Sequence, residues 1–225
     1  MREIVLDTET TGLDPKSGDR LVEIGCVELD NHLPTGRTYH QYVNPERDMP
    51  DEAFRVHGLS EAFLAKHPVF SDIADSFLEF IGDADLVIHN ASFDLGFINA
   101  ELLRLGRAPV ESRRAIDTVQ VARGKYPGAQ ASLDALCRRF EIDLSARTKH
   151  GALLDADLLA DVYLELIGGR QPGFDLASQR RKSVNKINET PPKPSRPPRP
   201  HAPTTAESVA HRAFLEHITD PIWHG

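Results

Sequence analysis

The chain has 225 residues, 40% of them apolar and 27% charged, a composition that predicts a soluble globular protein with one sizeable core. No apolar run approaches the roughly 20 residues that cross a bilayer, which excludes a protein embedded in a membrane. The net charge of −8 at pH 7 argues against a protein that holds nucleic acid by its own positive charge alone.

The charge is unevenly distributed along the chain. Residues 1–169 contain 17 Lys and Arg against 29 Asp and Glu, a balance of −12, whereas residues 170–225 contain 9 against 5, a balance of +4. If the acidic part binds nucleic acid, metal ions must offset its charge locally or a partner must deliver the substrate.

The cysteines and the start of the chain bear on the compartment. Cys26 and Cys137 lie in apolar stretches without the spacing of a metal site, so we expect two buried free thiols in a reducing compartment. The chain begins directly with the strand-like REIVLD, and we expect no signal peptide. These features predict a cytoplasmic protein.

The predicted elements, taken in chain order, are typical of an α/β domain. Strands are predicted at residues 3–7, 21–29, 36–43, 86–89 and 115–117, with a turn region at residues 31–35. Helices are predicted after Asn44-Pro45, with Ser60 and Ser71 as N-caps and Ile73, Phe77, Phe80 and Ile81 as an apolar stripe, and then at residues 93–105, 132–140 and 151–167. Three strands followed by strands that alternate with helices predict a mixed five-stranded sheet flanked by helices.

The composition changes from about residue 177 onward. The stretch TPPKPSRPPRPHAPTT is rich in proline and basic residues, and it predicts an extended, disordered linker. Thr204 and Glu207 then match a helix capping box, with Ala210, Phe214 and Ile218 on one helical face. A short C-terminal helix of this kind is marginal alone, so we interpret residues 204–225 as a docking segment.

Two carboxylates end the first predicted strand. Asp7 and Glu9 are two positions apart and therefore project from the same face. Like charges there repel unless a cation lies between them, and hard ions such as Mg²⁺ and Mn²⁺ take oxygen ligands of this kind. The alternative is a solvated strand end that enters the turn Thr10-Thr11-Gly12.

Asp155 is separated from its acidic neighbours by helical periodicity. The last three acidic residues of its helix, Asp157, Asp161 and Glu165, recur every four positions and form a solvated face. Asp155 lies roughly 200° from Asp157 around the helix and therefore projects towards the domain. A carboxylate there needs a partner, and a metal ion would supply one. The alternative is an Asp bonded to a backbone amide in the first helical turn.

Asp94 and His150 complete the candidate constellation. Asp94 follows a predicted strand and lies in the first turn of the next helix, where it could also serve the helix dipole, and Asn90 and Ser92 could be simple caps. His150 precedes the helix of Asp155, and a histidine with a near-neutral pKa suits the deprotonation of a water. Two ions roughly 3.5–4 Å apart on these carboxylates could support phosphodiester hydrolysis.

These residues and the segments around them resemble the DEDDh family of 3′→5′ exonucleases, and within it the epsilon-type proofreading subunits of bacterial DNA polymerase III. The resemblance runs through VLDTETTG, PDEAFRVHG, VIHNASFD, SLDALCRRFEID and HGALLDADLLADVY. It implies a ribonuclease H-like fold and a metal site made of Asp7, Glu9, Asp94 and Asp155, with His150 as the general base. It also implies that Glu52, His57, Asp7, Glu9 and Asp155 contact the substrate. From the residues alone, Glu52 is equally a helix-surface residue and His57 a residue before a glycine turn.

The resemblance also divides the chain and suggests partners. Residues 1–169 would form the exonuclease domain, and residues 177–203 a linker. Residues 170–176 contain QPGFDL, which resembles a degenerate sliding-clamp motif that departs from the usual pattern at Gly173 and Asp175. Residues 204–225 resemble the segment with which such subunits hold the polymerase (alpha) subunit.

The leading functional hypothesis is a hydrolase that proofreads DNA synthesis inside a replicase. It would use two Mg²⁺ or Mn²⁺ ions to release nucleoside monophosphates from single-stranded or frayed 3′ DNA ends. A stand-alone RNA-trimming exoribonuclease is the first alternative, although the basic linker and the docking segment argue against it. A non-catalytic replicase scaffold is the second, although the five candidate site residues are all present.

Overall fold

The computed structural model describes residues 1–145, 147, 149–169 and 202–219. The chain divides into two compact units, Met1–Phe174 and Asp175–Gly225. The predicted clamp-binding segment at residues 170–176 lies outside the described residues. The predicted linker at residues 177–203 does as well, except for its last two residues. The last six residues of the predicted docking segment do as well.

A mixed five-stranded sheet forms the centre of the first unit, as predicted. Its strands are β1 (Arg2–Thr10), β2 (Leu21–Asp30), β3 (Leu33–Tyr42), β4 (Asp85–Ile88) and β5 (Ala115–Asp117). They lie in the order β3-β2-β1-β4-β5, in which β1 is antiparallel to β2 and β2 to β3, while β4 runs parallel to β1 and β5 parallel to β4. Strand β1 is therefore the central strand, with β2 and β4 beside it and β3 and β5 at the two edges of the sheet.

Seven helices of the described residues accompany this sheet. They are α1 (Asp51–His57), α2 (Glu61–Leu64), α3 (Phe70–Ile81), α4 (Ala91–Arg104), α5 (Thr118–Lys125), α6 (Leu133–Arg139) and α7 (Ala152–Ile167), and short 3₁₀ turns occur at Pro15–Ser17 and Ser112–Arg114. No helix within the described ranges is long and apolar enough to cross a membrane.

The two faces of the sheet carry separate apolar cores. On β1 the side chains of Ile4 and Leu6 join the core shared with α3 and α4, whereas Val5 joins the core shared with α6 and α7. This division follows from the two-residue period of a strand. Because both faces are covered, β1 is buried along nearly its whole length, as its continuous apolar run predicts.

Two local predictions for the first unit are wrong, and one helix was not predicted. The turn expected at residues 31–35 is shorter, because Asn31 and His32 both adopt positive φ (49° and 67°) and β3 starts at Leu33. Ser71 lies inside the first turn of α3, whose N-cap is Val69, whereas Ser60 does cap α2 by accepting a hydrogen bond from the Phe63 amide. Helix α5 was missed, since its apolar pattern is weak.

Helix α7 is fixed against the sheet by two contacts that are distant in sequence. The Tyr163 hydroxyl donates a 2.7 Å hydrogen bond to the buried Glu3 carboxylate of β1. At the other end of the helix, a β-carbon on Gly25 of β2 would lie 2.2 Å from the backbone of Ala152 and Leu153. The missing side chain at Gly25 therefore lets the first turn of α7 approach the sheet closely.

In the second unit the described residues form helix α8 (Thr205–Leu215). Thr204 and Glu207 make the predicted capping box, with the Glu207 amide bonded to the Thr204 hydroxyl and the Glu207 carboxylate to the Thr204 amide. The helix ends at Leu215, so Ile218 lies in the turn beyond it and does not extend the helical face as predicted. Val209 and Phe214 are exposed on α8, and none of its residues is buried.

Candidate active site

A cleft of about 370 Å³ opens where β1 and β4 end. Strand β4 pairs parallel with β1, so the residues that follow both strands meet at one edge of the sheet. The lining side chains come from β1, α4, α6, α7 and the loops beside them: Asp7, Thr8, Glu9, His89, Phe93, Asp94, Ser132, Leu133, Asp134, Arg147, His150 and Asp155. The structure thus brings together all five residues of the predicted constellation.

Asp7 and Glu9 project from β1 on the side of α7. Glu9 is only 8% exposed, so the alternative of a solvated strand end does not hold for it. Burial and the nearby charges of Asp94, Glu9 and Asp155 raise the pKa of Asp7 well above its usual range. Burial, together with the charges of Asp155 and Glu23, raises the pKa of Glu9 to about 8. Both shifts mean that the carboxylate forms need a cation nearby.

Asp94 reaches the same edge from the first turn of α4 and is 2% exposed. Thr8 Oγ1 donates a 2.7 Å hydrogen bond to Asp94 Oδ1 and so links β1 to α4. Burial raises the pKa of Asp94 to about 7, although the Thr8 hydrogen bond opposes the shift. Asn90 occupies the N-cap position in a left-handed conformation without a side-chain cap bond, and Ser92 does not cap α4.

Asp155 points into the domain from the first turn of α7, as helical periodicity predicts. It is 2% exposed, whereas Asp157 and Asp161 of the same helix are exposed. Its carboxylate is held by side chains: Arg147 Nε and Nη2 donate to its two oxygens at 2.6 and 2.7 Å. Burial would raise the pKa of Asp155, but hydrogen bonds from His150 and Arg147 outweigh it and the pKa is lowered. The predicted alternative, a bond to a backbone amide, is not the arrangement observed.

His150 stands two residues before α7 with half of its side chain exposed. Its Nδ1 lies 3.1 Å from Asp155 Oδ2 and 2.8 Å from Arg147 Nη2. Its backbone amide bonds to the Val56 carbonyl at 3.3 Å, which ties this loop to α1. With Nδ1 engaged, Nε2 is the nitrogen that can take a proton from water.

The donor atoms fit a divalent ion. Three ligand atoms, one each from Glu9, His150 and Asp155, lie within 4.8 Å of one another. Asp7 and Asp94 line the same cleft. Carboxylate oxygens dominate this set, as Mg²⁺ and Mn²⁺ require. These residues could therefore hold a metal ion, and the raised pKa values of Asp7, Glu9 and Asp94 indicate the charge that such an ion would offset.

The two residues predicted only from the resemblance lie on α1 in different settings. His57 is 6% exposed, its Nδ1 accepts a hydrogen bond from the Leu59 amide, and its Nε2 is a buried donor that makes no hydrogen bond of full geometry among the described residues. Burial lowers the pKa of His57, and the charges of Lys149 and His150 lower it further. A hydrogen bond to the Thr10 backbone acts in the opposite direction. His57 therefore lies beside the site. Glu52 is exposed in the first turn of α1, and it is not among the described residues that line the cleft.

Reasoning from the sequence missed three residues that shape the site. Thr8 lies between Asp7 and Glu9 in the sequence, and no local pattern indicates that its hydroxyl holds Asp94, which only the contact in the structure shows. Gly25 carried a signal, since a glycine inside a strand often marks a close backbone approach. Arg147 lies three residues before His150 in a loop, and no periodicity indicated that it would pair with Asp155.

Known proteins resemble this chain in sequence and in fold. Residues 4–163 match the family model RNase T, described as an exonuclease. The DNA polymerase III subunit epsilon of Rickettsia felis is 50% identical over 222 residues, covering 97% of each chain. Exonuclease X in complex with 5′ overhanging duplex DNA is 26% identical with a TM-score of 0.58, covering 73% of this chain and 90% of that one. The nuclease domain of 3′hExo, a DEDDh family member bound to rAMP, shares the fold with a TM-score of 0.65 at 19% identity, covering 74% of this chain and 91% of that one.

Proposed function

Because this chain belongs to the RNase T exonuclease family and, within it, to the DNA polymerase III epsilon subunits, we infer that it is a 3′→5′ exonuclease that proofreads DNA synthesis. The observation that carries the inference is the convergence of Asp7, Glu9, Asp94, Asp155 and His150 in one cleft. The reaction is hydrolysis of the 3′-terminal phosphodiester, with release of a nucleoside monophosphate.

Asp7, Glu9, Asp94 and Asp155 are proposed to hold two divalent ions, Mg²⁺ or Mn²⁺. Ions bound there would lower the pKa of a ligated water and would stabilise charge on the leaving 3′ oxygen. The acidic balance of residues 1–169 agrees with this assignment, because lysines and arginines are not then needed at the scissile phosphate. The oxygen-rich donor set supports Mg²⁺ and Mn²⁺ equally.

His150 is proposed to act as the general base. It lies in hydrogen-bond range of Asp155 through Nδ1 and is half exposed, so water can reach its other nitrogen. A histidine titrates near neutral pH and can accept the proton of the attacking water. The hydrogen bond from its backbone amide to the Val56 carbonyl fixes the backbone of His150 against α1.

His57 and Glu52 are proposed to contact the 3′-terminal nucleotide, together with Asp7, Glu9 and Asp155. The support differs between the two. Among the described residues, the buried Nε2 of His57 makes no hydrogen bond of full geometry, although a hydrogen bond to the Thr10 backbone opposes the lowering of the His57 pKa, so this donor is one that a substrate can satisfy. Glu52 rests on the resemblance and on its place on the same helix.

The partners are proposed from the same premise. Residues 204–225 would bind the polymerase alpha subunit, and the exposed Val209 and Phe214 of α8 support a docking role. Residues 171–176, which lie outside the described residues, would bind the sliding clamp. Residues 1–169 would be the exonuclease domain and residues 177–203 its linker to the docking segment, in a cytoplasmic replicase.

A side-by-side assay tests this function against the alternatives. The chain is incubated with a 3′-mismatched DNA primer and with a short RNA, in Mg²⁺ and in Mn²⁺. We expect cleavage of the mismatched DNA from its 3′ end in preference to the RNA, and loss of this cleavage in Asp155→Ala, which should remain folded. Preference for RNA would instead favour the exoribonuclease, and cleavage of neither would favour the scaffold.

A further inference from the structure

Arg147 is a cation in direct contact with one of the candidate metal ligands, Asp155. Its Nε and Nη2 donate to the two oxygens of Asp155, its Nη1 donates to Asp134 Oδ1, and Nη2 also lies 2.8 Å from His150 Nδ1. Only 9% of the side chain is exposed, so this pairing is largely shielded from water. All three nitrogens of the guanidinium are therefore engaged at the site.

Arg147 and a metal ion would compete for the same ligand, the carboxylate of Asp155. A guanidinium only donates hydrogen bonds, and its fork occupies both oxygens of the carboxylate at once. An ion on the same lone pairs displaces an arm of the fork, and an ion on the remaining lone pairs lies close to the positive charge of Arg147, so the two cations compete in either position. The same displacement would release His150 Nδ1, which cannot accept from Arg147 and donate to Asp155 through the same atom.

Asp134 gives the displaced side chain a second anchor. This aspartate lies on α6, is about half exposed, and already accepts a hydrogen bond from Arg147 Nη1. Because Arg147 and His150 belong to the same loop before α7, a shift of the arginine towards Asp134 changes the surroundings of both Asp155 and His150. Asp134 thus keeps the cation at the rim of the cleft when it leaves Asp155.

We propose that Arg147 is a positioning residue that competes with the divalent ions for Asp155 and thereby sets the metal affinity of the site. It moves to the Asp134 side of the cleft when the ions bind. There its planar fork matches the oxygens of a phosphate, so a DNA strand at the site would retain it in the displaced position. This inference rests on the proposed function, since it requires that Asp155 binds a metal ion.

Titration of Mn²⁺ into the full chain without nucleic acid tests the competition. Calorimetry would compare the wild type with Arg147→Gln and Arg147→Lys, and Arg138→Gln would serve as the matched control, since Arg138 is exposed on α6. We expect Arg147→Gln to bind Mn²⁺ about tenfold more tightly, the size expected when one charge-assisted pair is lost. Arg147→Lys should fall between the two, because lysine lacks the fork, and Arg138→Gln should equal the wild type.

The rise in Tm on addition of Mn²⁺ gives a second measurement. Because each variant is compared with itself without metal, this measurement also works for a variant of lower stability. Without metal, Arg147→Gln should have the lowest Tm, because Asp155 loses its guanidinium partner and keeps only His150, and its rise in Tm on addition of Mn²⁺ should exceed that of the wild type. Equal or weaker Mn²⁺ binding by Arg147→Gln would overturn the competition while leaving the proposed function intact. Absence of Mn²⁺ binding in the wild type would overturn both.

Discussion

Gly25 of β2 lies directly under the backbone of Ala152, where α7 begins. A β-carbon at Gly25 would fall 2.2 Å from the Ala152 carbonyl carbon, closer than any real contact of this kind. Gly25 also pairs with Asp7 across the β1–β2 ladder. The absence of one side chain therefore brings the turn that carries Asp155 close to the strand that carries Asp7.

Substitution of Gly25 should damage both stability and catalysis. In Gly25→Ala the first turn of α7 must move away from the sheet, and overpacking of this kind lowers the free energy of unfolding by about 1–3 kcal/mol. Because Asp155 moves with the turn, we expect the rate of 3′ cleavage to fall by about a hundredfold, the effect of a misplacement on the order of 1 Å. Urea denaturation and single-turnover cleavage would measure the two effects.

Gly124 of α5 provides the matched control. A β-carbon there would meet no atom within 4 Å, and its backbone is helical. Gly124→Ala should leave cleavage unchanged and raise the free energy of unfolding by about 0.5–1 kcal/mol. Equal behaviour of the two variants would show that the close approach at Gly25 has no role in the site.

His150→Gln should lower cleavage by about 10²–10⁴-fold, the usual contribution of a general base. Glutamine keeps a polar side chain near Asp155 but cannot take the proton of water at neutral pH. The variant should retain its fold, since half of the His150 side chain is exposed. Comparison with His211→Gln, a change at an exposed histidine of α8, isolates the effect of the site. Cleavage by both variants at the same rate would contradict the role of His150.

The metal-free protein should lose stability as the pH rises from 6.5 to 8.5. The folded-state pKa values of Asp94 (about 7) and Glu9 (about 8) are raised above the ordinary values of 3.8 and 4.5, so the folded protein holds protons there that the unfolded chain has released. Their stabilising contribution is complete below the ordinary values and is lost as the pH passes through about 7 and 8. The lowered pKa values of His57 and His89 act in the opposite direction, but this effect is nearly complete above the ordinary value of 6.5, at which the unfolded histidines lose their protons. Urea denaturation in EDTA should show a decrease of roughly 2 kcal/mol.

Mn²⁺ should reverse this pH trend, because ions bind the deprotonated carboxylates of the folded state only. The variant Glu9→Gln removes one titrating group and should flatten the decrease seen in EDTA. If the metal-free wild type were equally stable at pH 6.5 and 8.5, the two carboxyl groups would not be protonated in the fold as described.

Removal of residues 204–225 should separate docking from catalysis. The cleft residues all lie in the first compact unit, so the truncated chain should still cleave free single-stranded DNA at the wild-type rate. Co-elution with the polymerase alpha subunit in size-exclusion chromatography should be lost. Phe214→Asp should reproduce this loss, whereas Arg212→Asp, which places the same residue on the opposite side of α8, should not. Unchanged co-elution of the truncated chain would refute the docking role.

Much of the fold and the identity of the four candidate metal ligands could be predicted from the sequence. The two-residue period of β1 places Asp7 and Glu9 on one face, and the helical period of α7 turns Asp155 away from Asp157. Both are local properties, because the direction of a side chain within one strand or helix depends only on its neighbours in sequence. The capping box of Thr204 and Glu207 was predictable for the same reason.

What only the tertiary structure decided is how these local elements meet. The contact of Thr8 with Asp94, the close approach of Gly25 to Ala152, the buried setting of His57 and the pairing of Arg147 with Asp155 each join segments from different elements or loops. Such contacts depend on the packing of helices on both faces of the sheet, which no local period encodes. The sequence by itself thus determined which carboxylates face inward, and the fold determined which cation, hydroxyl and imidazole they meet there.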